Sequence, residues 1–473
     1  MSPDELLETV VVLNTEQLLQ FITERENDLR LCFLQALPGS ATNKYFEKIF
    51  SALAQKRHTE DEVNSDQLQL LYTHLAFYFK RINKWQFVDA CTTHIQNNIF
   101  RRRLSAWLHY KRYNTYVSHL NEYSSYLAKL SQAIADDVED YTFEILGDLH
   151  EYHTSGIERL PEDYRDRIGE FLNDDDLKIQ FPILGQYGDY QIGLLPDIRV
   201  TIANDKIHTP SPRAQNIFKE KFIDYVQRNN LFGYTIQQAA DEVIGKGQAD
   251  FDEGYEKLTP EQVVKIYCYC NMRMHYFSSI SLFERSDLVN QFYQTNGRIK
   301  FIDIGCGPGT SGLAFAEHIY TTTGLPSVFD YFGIDTSNVM KQQAQDMMVN
   351  SVFVNPSTTN FFSDITQVSS NYLDNASCII VNTCYVFASQ HLDLDRLAEY
   401  LNNLNKKFPY IPKYLLFQNP NNDYVNRRYF EFRELLDQKE VIYSQKEKIF
   451  YYNQPKQYGE PKNRIVFFEI LKF

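Results

Sequence analysis

At 473 residues the chain exceeds what one hydrophobic core usually serves, so two or three domains are expected. Its composition, 43% apolar and 23% charged, is that of a globular protein, and a net charge of −14 argues against a protein that coats nucleic acid through bulk charge. No stretch approaches the roughly 18 apolar residues needed to span a bilayer, and the acidic start Met1–Thr9 lacks the basic-then-apolar order of a signal peptide. No membrane partner is therefore expected.

The seven cysteines are scattered and odd in number, which excludes a disulfide framework. Cys268 and Cys270 share one expected helix, with no second pair at zinc-ligand spacing, so no metal site is read there. Packed free thiols in a reducing, cytoplasmic compartment follow.

Taken in chain order, residues 1–175 read as an α-helical domain. Leu18, Leu19, Phe21 and Ile22 recur at helical spacing, as do Leu68, Leu70, Leu71, Leu75, Phe77 and Phe79. About six helices are expected, broken near Pro38-Gly39-Ser40 and between Thr59 and Ser65. No fixed-period repeat is visible, which weighs against a solenoid. Inside this region lies a basic stretch, Lys80, Arg81, Lys84, Arg101, Arg102, Arg103, Lys111 and Arg112, interleaved with Trp85, Trp107, Tyr110 and Tyr113. Cations among aromatics can bind phosphates and stack bases, so one possible role is a nucleic-acid groove; the other is a solvated or internally paired face.

Residues 176–258 read as a connecting region. Pro182, Gly185, Gly188, Gly193, Pro196, Pro210 and Pro212 gather there, and the alternation of Ile198, Val200 and Ile202 suggests a short β element. Helices resume from Ala214 to about Ile244, followed by a Gly- and charge-rich loop, Gly245–Lys257. Thr259-Pro260-Glu261-Gln262 then forms a capping-box start for a helix running towards Phe283.

From Ile299 the pattern becomes strand-then-helix. Strands are expected at Ile299–Ile304, Val328–Ile334, part of Val352–Phe362, Cys378–Val381, Tyr414–Gln418, Val441–Tyr443 and Ile465–Leu471. Helices are expected at Gly312–Tyr320, Ser337–Val349, Asp393–Lys407 and Tyr424–Leu436. Such alternation implies a parallel sheet covered on both faces, and the short last connection implies an antiparallel edge pair.

The chemistry is concentrated in Phe301-Ile302-Asp303-Ile304-Gly305-Cys306-Gly307-Pro308-Gly309-Thr310, where a buried strand ends in a glycine-rich turn that opens a helix. A dinucleotide turn would place Gly or Ala at position 310, and a P-loop would end in Gly-Lys-Ser/Thr; neither pattern is present. The second strand ends in Asp335-Thr336, and an acid at that tip suits both hydroxyls of a ribose diol.

This D-x-G-x-G-x-G turn followed by Asp335 resembles the class I S-adenosylmethionine (SAM)-dependent methyltransferases, over residues 259–473. The resemblance implies a Rossmann-like, seven-stranded α/β domain that binds SAM through Asp303, Gly305, Cys306, Gly307, Pro308, Gly309, Asp335 and Thr336. It also places Asp364 and Ile365 of Phe362-Ser363-Asp364-Ile365 at the adenine, and Asn382 of the fourth strand near the methyl group. Asn382 and Tyr385 echo, without its two prolines, the N-P-P-Y signature of enzymes that methylate amino groups. Arg273, on the helix before the first strand, is expected at the methionine carboxylate, with Tyr267 or Tyr276 closing over the site. Tyr385 and His275 are the candidate catalytic groups. The function implied is methyl transfer to a small molecule, natural product or protein. A nucleic-acid methyltransferase using the 80–113 stretch and a non-catalytic SAM-binding scaffold remain alternatives, and the helical domain is a possible homodimer interface.

Overall fold

The structure, a computed structural model, describes residues 1–56, 58–111, 116–137, 141–153, 181, 183–184, 206–285, 298–324, 329–349, 359–389, 392–421, 423–453 and 461–473. These fall into two compact units, one formed by residues up to 184 and the other chiefly by 208–453 and 463–473. The expected Ile198–Ile202 strand lies outside the described residues.

The first unit is helical between Pro3 and Glu151, with ten helical segments where about six were expected. The difference arises at short polar breaks: Asn14 caps a new helix through the Gln17 amide, and at Arg25 one helix ends and the next begins with no side-chain cap. The helix Asp66–Arg81 is the axis of this unit: every residue from Leu68 to Phe79 is buried, on all sides of the helix. A helix buried all round must be wrapped by others, and Phe46, Val88, Phe100 and Leu127 belong to the core that encloses it.

The basic stretch is largely absorbed by this packing. Lys80 Nζ and Arg103 Nε each lie 2.6 Å from a different oxygen of Asp148. Burial works against that carboxylate, but Arg103 and Lys80 together hold it below its ordinary value. Arg81 donates to the Phe33 carbonyl, Lys84 pairs with Glu47, Arg102 pairs with Asp136, and Lys111 lies over the Trp107 ring. Arg101 is exposed and bonded to Asn98, whereas Arg103 is only 3% exposed. The three consecutive arginines therefore do not present one cationic surface, contrary to the groove expectation; Arg112 and Tyr113 lie outside the described residues.

In the second unit, eight strands form one sheet: β1 (Ile207–His208), β2 (Ile299–Ile304), β3 (Asp330–Ile334), β4 (Thr359–Phe362), β5 (Cys378–Cys384), β6 (Lys413–Pro420), β7 (Glu440–Tyr451) and β8 (Lys462–Lys472). Their order is β1-β7-β8-β6-β5-β2-β3-β4. Strands β4, β3, β2, β5 and β6 are parallel, and β8 runs antiparallel to β6. The sheet thus has eight strands where seven were expected, the addition being the two-residue β1, too short to leave an alternating pattern in the sequence. β7 also runs far beyond the expected Val441–Tyr443, to Tyr451, because the polar and charged residues 444–448 that follow carry no apolar alternation.

Period-two alternation divides each strand between two cores. Ile299, Phe301, Cys378 and Ile380 face one, with Tyr331 and the helices Pro260–Tyr267, Thr310–Thr323 and Asn338–Val349. Ile302, Ile304, Ile379 and Val381 face the other, against Leu397 and Leu401 of Leu394–Lys407 and Tyr429 of Asp423–Glu434. Segments from Ala214 to Leu258 share the first core, so they pack with the sheet. The helix expected from Thr259 to Phe283 is continuous but contains a π turn, Cys268–Met272, between Pro260–Tyr267 and Arg273–Arg285. A π turn shifts the register of one helix face, here between Tyr267 and His275.

Removing Asp148 takes from the buried Arg103 and the part-buried Lys80 the carboxylate they share, leaving Lys80 its longer contact with Glu151. Asp148→Ala is expected to cost about 3–5 kcal/mol in denaturant unfolding, whereas Arg101→Ala should cost under about 0.5 kcal/mol. Equal losses would contradict the internal pairing.

Candidate functional site

The candidate site lies at the carboxyl ends of β2, β3, β5 and β6, where the parallel strands deliver their loops to one edge of the sheet. After Ile304 the chain turns through three left-handed glycines, Gly305 (φ 63°), Gly307 (φ 49°) and Gly309 (φ 80°), the last capping Thr310–Thr323. The three have different reasons to lack a side chain. At Gly305 a Cβ would stand 2.8 Å from Val386 Cγ2, and at Gly309 3.2 Å from Ala344 Cβ. At Gly307 a Cβ would meet nothing within 4 Å: the backbone there faces open space. Cys306 and Pro308 are buried between these glycines, and the Cys306 amide donates to Ile334 O, fastening the turn to β3.

Asp335, immediately after β3, accepts from the Gly307 amide at 2.9 Å through one oxygen and from the Ser337 amide at 2.9 Å through the other. Burial raises its pKa, while the Ser337 and Gly307 amides and the Lys341 charge oppose the rise. A carboxylate has about four lone-pair directions, so two remain for a ligand. Thr336 is exposed beside it.

Asp303 sits deeper, 1% exposed, and joins three strands. Its Oδ2 accepts from Tyr331 OH at 2.7 Å and its Oδ1 from Asn382 Nδ2 at 2.8 Å. Burial pushes its pKa up to about 6, against those two hydrogen bonds. The two partners are in register with it or near it: Asn382 is its direct neighbour on β5. Asn382 is 0% exposed, so its amide group serves Asp303 and does not reach the open cleft, unlike the position expected for it.

The far wall is aromatic and neutral. Tyr385 has a left-handed backbone (φ 57°), held by its amide bond to Gln418 O and by stacking of its ring on His275 at 4.0 Å. Burial pushes the His275 imidazole down to about 3 and raises the Tyr385 and Tyr267 phenols. Cys384, Asp335 and Tyr385 are among the electrostatic neighbours of Tyr267, which places it on the cleft. Beneath Tyr385, the buried Gln418 Nε2 reaches Ser279 Oγ at 2.5 Å and Cys384 Sγ at 2.7 Å, and Ser279 Oγ lies 3.3 Å from Ser311 Oγ. Burial drives the Cys384 thiol to about 12, so it stays protonated.

Other expectations are met differently. Arg273 is buried, donates to Tyr269 O at 2.9 Å and lies over the Tyr269 ring, both contacts being to its own helix. Tyr276, nearly one turn further, packs edge-on against Phe218. That side of the helix is turned into the core, away from the side bearing Tyr267 and His275. Asp364 caps its own short helix through the Thr366 amide at 2.9 Å and pairs with Arg396 at 3.0 Å, while Ile365 is buried. Asp252 was not anticipated: it reaches the Ser337 hydroxyl and the Asn338 and Val339 amides from more than eighty residues away. No local pattern marks such a contact. Ser279, Ser311 and Gln418 were likewise missed, since each reads as an ordinary helix or strand residue. All seven cysteines are free, and no cluster of three or more metal-ligating side chains occurs among the described residues. Nor is any described helix long and apolar enough to cross a membrane.

No family model and no curated protein matches this sequence. Among solved structures, the chain is similar to class I SAM-dependent methyltransferases. One is the human N-acetylserotonin methyltransferase in complex with SAM, at 12% identity and a TM-score of 0.29, covering 76% of this chain and 98% of that one. The trans-methyltransferase CalH in complex with S-adenosylhomocysteine (SAH) has 12% identity and a TM-score of 0.32, covering 70% and 92%. The plantazolicin methyltransferase BpumL with SAH has 16% identity and a TM-score of 0.26, covering 50% and 99%. A similarity this low transfers neither a substrate nor a site residue from those proteins to this one.

The raised pKa of Asp303 has a measurable sign. Its folded value of about 6 exceeds the ordinary 3.8, so protonation favours the fold. That contribution is fully present below about pH 4 and is lost as the pH rises through about 6. Asp303→Asn should therefore be more stable than the parent near pH 8, by about 1–3 kcal/mol, with the advantage shrinking towards pH 4 in thermal unfolding scans. A pH-independent difference would contradict the buried charge.

Proposed function

We propose that this protein is a SAM-dependent methyltransferase whose cofactor lies along the glycine turn and whose acceptor meets it beside Tyr385. The observation carrying this reading is Asp335: one carboxylate bonded to the Gly307 amide, with two acceptor directions left, next to backbone that faces open space. The residues present fit the cofactor. Asp335 would take the ribose diol, and the Gly305–Gly307 backbone would lie against the amino-acid part. Ile365 supplies apolar surface for the adenine, with Asp364 at its edge. The cofactor, when bound, supplies a methyl group on a positively charged sulfur, ready for in-line displacement.

The chain's own residues then have to orient the acceptor and exclude water. Tyr267, Tyr385 and His275 offer an uncharged aromatic wall, and such faces tolerate a neighbouring cation. His275, with its pKa near 3, stays neutral and is a poor proton acceptor; it positions the Tyr385 ring by stacking. Tyr385 keeps its proton and can donate a hydrogen bond to the acceptor. An acceptor that is a neutral nucleophile, or that loses its proton to solvent, suits this wall best. A small molecule or natural product is the favoured acceptor. With Lys80 and Arg103 paired to Asp148, the main motive for a nucleic-acid acceptor is gone.

Calorimetry with SAH tests the placement. Asp335→Ala should weaken binding by about 1.5–3 kcal/mol, through loss of charge-assisted hydrogen bonds. Gly307→Val should abolish binding because its side chain fills the open space; the added side chain meets no neighbour, so the protein should stay folded at a local cost of about 1–2 kcal/mol for the left-handed φ. Parent-like affinity in both variants would place the cofactor elsewhere.

A further inference from the structure

The segment between Ile244 and Leu258 is an ordered strap with a specific construction. Gly245, Gly247, Gly254 and Glu256 take left-handed backbone, Tyr255 and Leu258 form an antiparallel bridge, and a Cβ on Gly254 would fall 2.5 Å from Leu258 O. Two adjacent residues of the strap hold opposite walls of the cleft. Phe251 packs edge-on against Tyr267 at 5.2 Å, and Gly247 backs onto the same ring, with its Cβ position 3.6 Å from Tyr267 Cε2. Asp252 accepts from Ser337 Oγ at 2.8 Å and from the Asn338 and Val339 amides at 3.1 Å each.

Ser337 is the junction of this arrangement. Its amide donates to Asp335, and its hydroxyl donates to Asp252 while accepting from the Met340 amide. The turn that orients Asp335 is thus fixed from outside by a residue more than eighty positions earlier. The Ser337, Asn338 and Val339 donors hold Asp252 below the ordinary carboxylate range despite its partial desolvation, so the contact is made by the ionised group.

We infer that Asp252 is a positioning residue for cofactor binding: it latches the 245–258 strap onto the turn after β3, fixing Asp335 and Tyr267 on the two sides of one cleft. This rests on the cofactor placement proposed above. Release of a bound cofactor requires the latch to open, so its loss acts chiefly on the dissociation rate.

The test uses the full chain with SAH as the probe. Asp252→Ala should raise the SAH Kd about tenfold, mostly through faster dissociation in stopped flow. Asp252→Asn keeps an oxygen acceptor suited to a helix start and should stay within about threefold of the parent. SAH should slow proteolytic cleavage within 245–257 in the parent and fail to do so in Asp252→Ala. A fall in apo melting temperature with unchanged Kd and unchanged protection would reduce Asp252 to a structural cap and overturn the inference. Should Asp252→Ala fold poorly, Ser337→Ala removes the hydroxyl arm alone and should weaken SAH in the same direction, by about threefold; unchanged affinity there would also overturn it. A parent protein that does not bind SAH would instead defeat the cofactor placement.

Discussion

The candidate site depends on one carboxylate accepting two backbone hydrogen bonds. Asp335 takes the Gly307 amide with one oxygen and the Ser337 amide with the other, so it fixes the turn after β2 relative to the turn after β3. The remaining features follow from that tie. The left-handed Gly307 presents its amide to the acid, while Val386 and Ala344 leave no room for a side chain at the flanking Gly305 and Gly309. The acid must remain charged despite burial, hence amide donors and Lys341 nearby to oppose the rise in its pKa.

Around this tie the protein separates charge from neutrality. Asp335 and Asp252 meet at the tip of β3, while the ends of β5 and β6 carry Cys384, Tyr385 and Gln418, faced by His275 and Ser279 of the helix Arg273–Arg285, all of them uncharged. Tyr385 adopts a backbone that costs a non-glycine residue about 1–2 kcal/mol, compensated by its amide bond to Gln418 O and the His275 stack. Strain concentrated at the end of a strand beside a cleft fits a residue whose direction matters more than its stability. The wall suits positioning of an acceptor better than deprotonation of one.

Much of the second unit was legible because its signals are local. The buried run Phe301–Ile304 and the glycine turn mark β2 and its helix, and Phe332-Gly333-Ile334-Asp335 marks β3, each within ten residues. Features made between distant segments were not. The polar residues 444–448 of β7 and the two-residue β1 lack apolar alternation, the Asp252 contact has no sequence neighbour, and Asn382 turns to Asp303 only because β5 lies beside β2. The basic stretch was misleading for a related reason: Asp148, which takes Lys80 and Arg103, lies 45 residues from Arg103, and the other cations of the run turn to separate partners. Arg273 shows the limit of helix-face reasoning, since the π turn before it changes which side of the helix meets the cleft.

The most direct test of the central claim is a crystal structure of the full chain grown with saturating SAH. The account predicts electron density for the ligand along Gly305–Gly307, with both ribose hydroxyls within hydrogen-bond distance of Asp335 and the sulfur directed towards Tyr385. Density at another place, or an adenosine ribose bound away from Asp335, would contradict it.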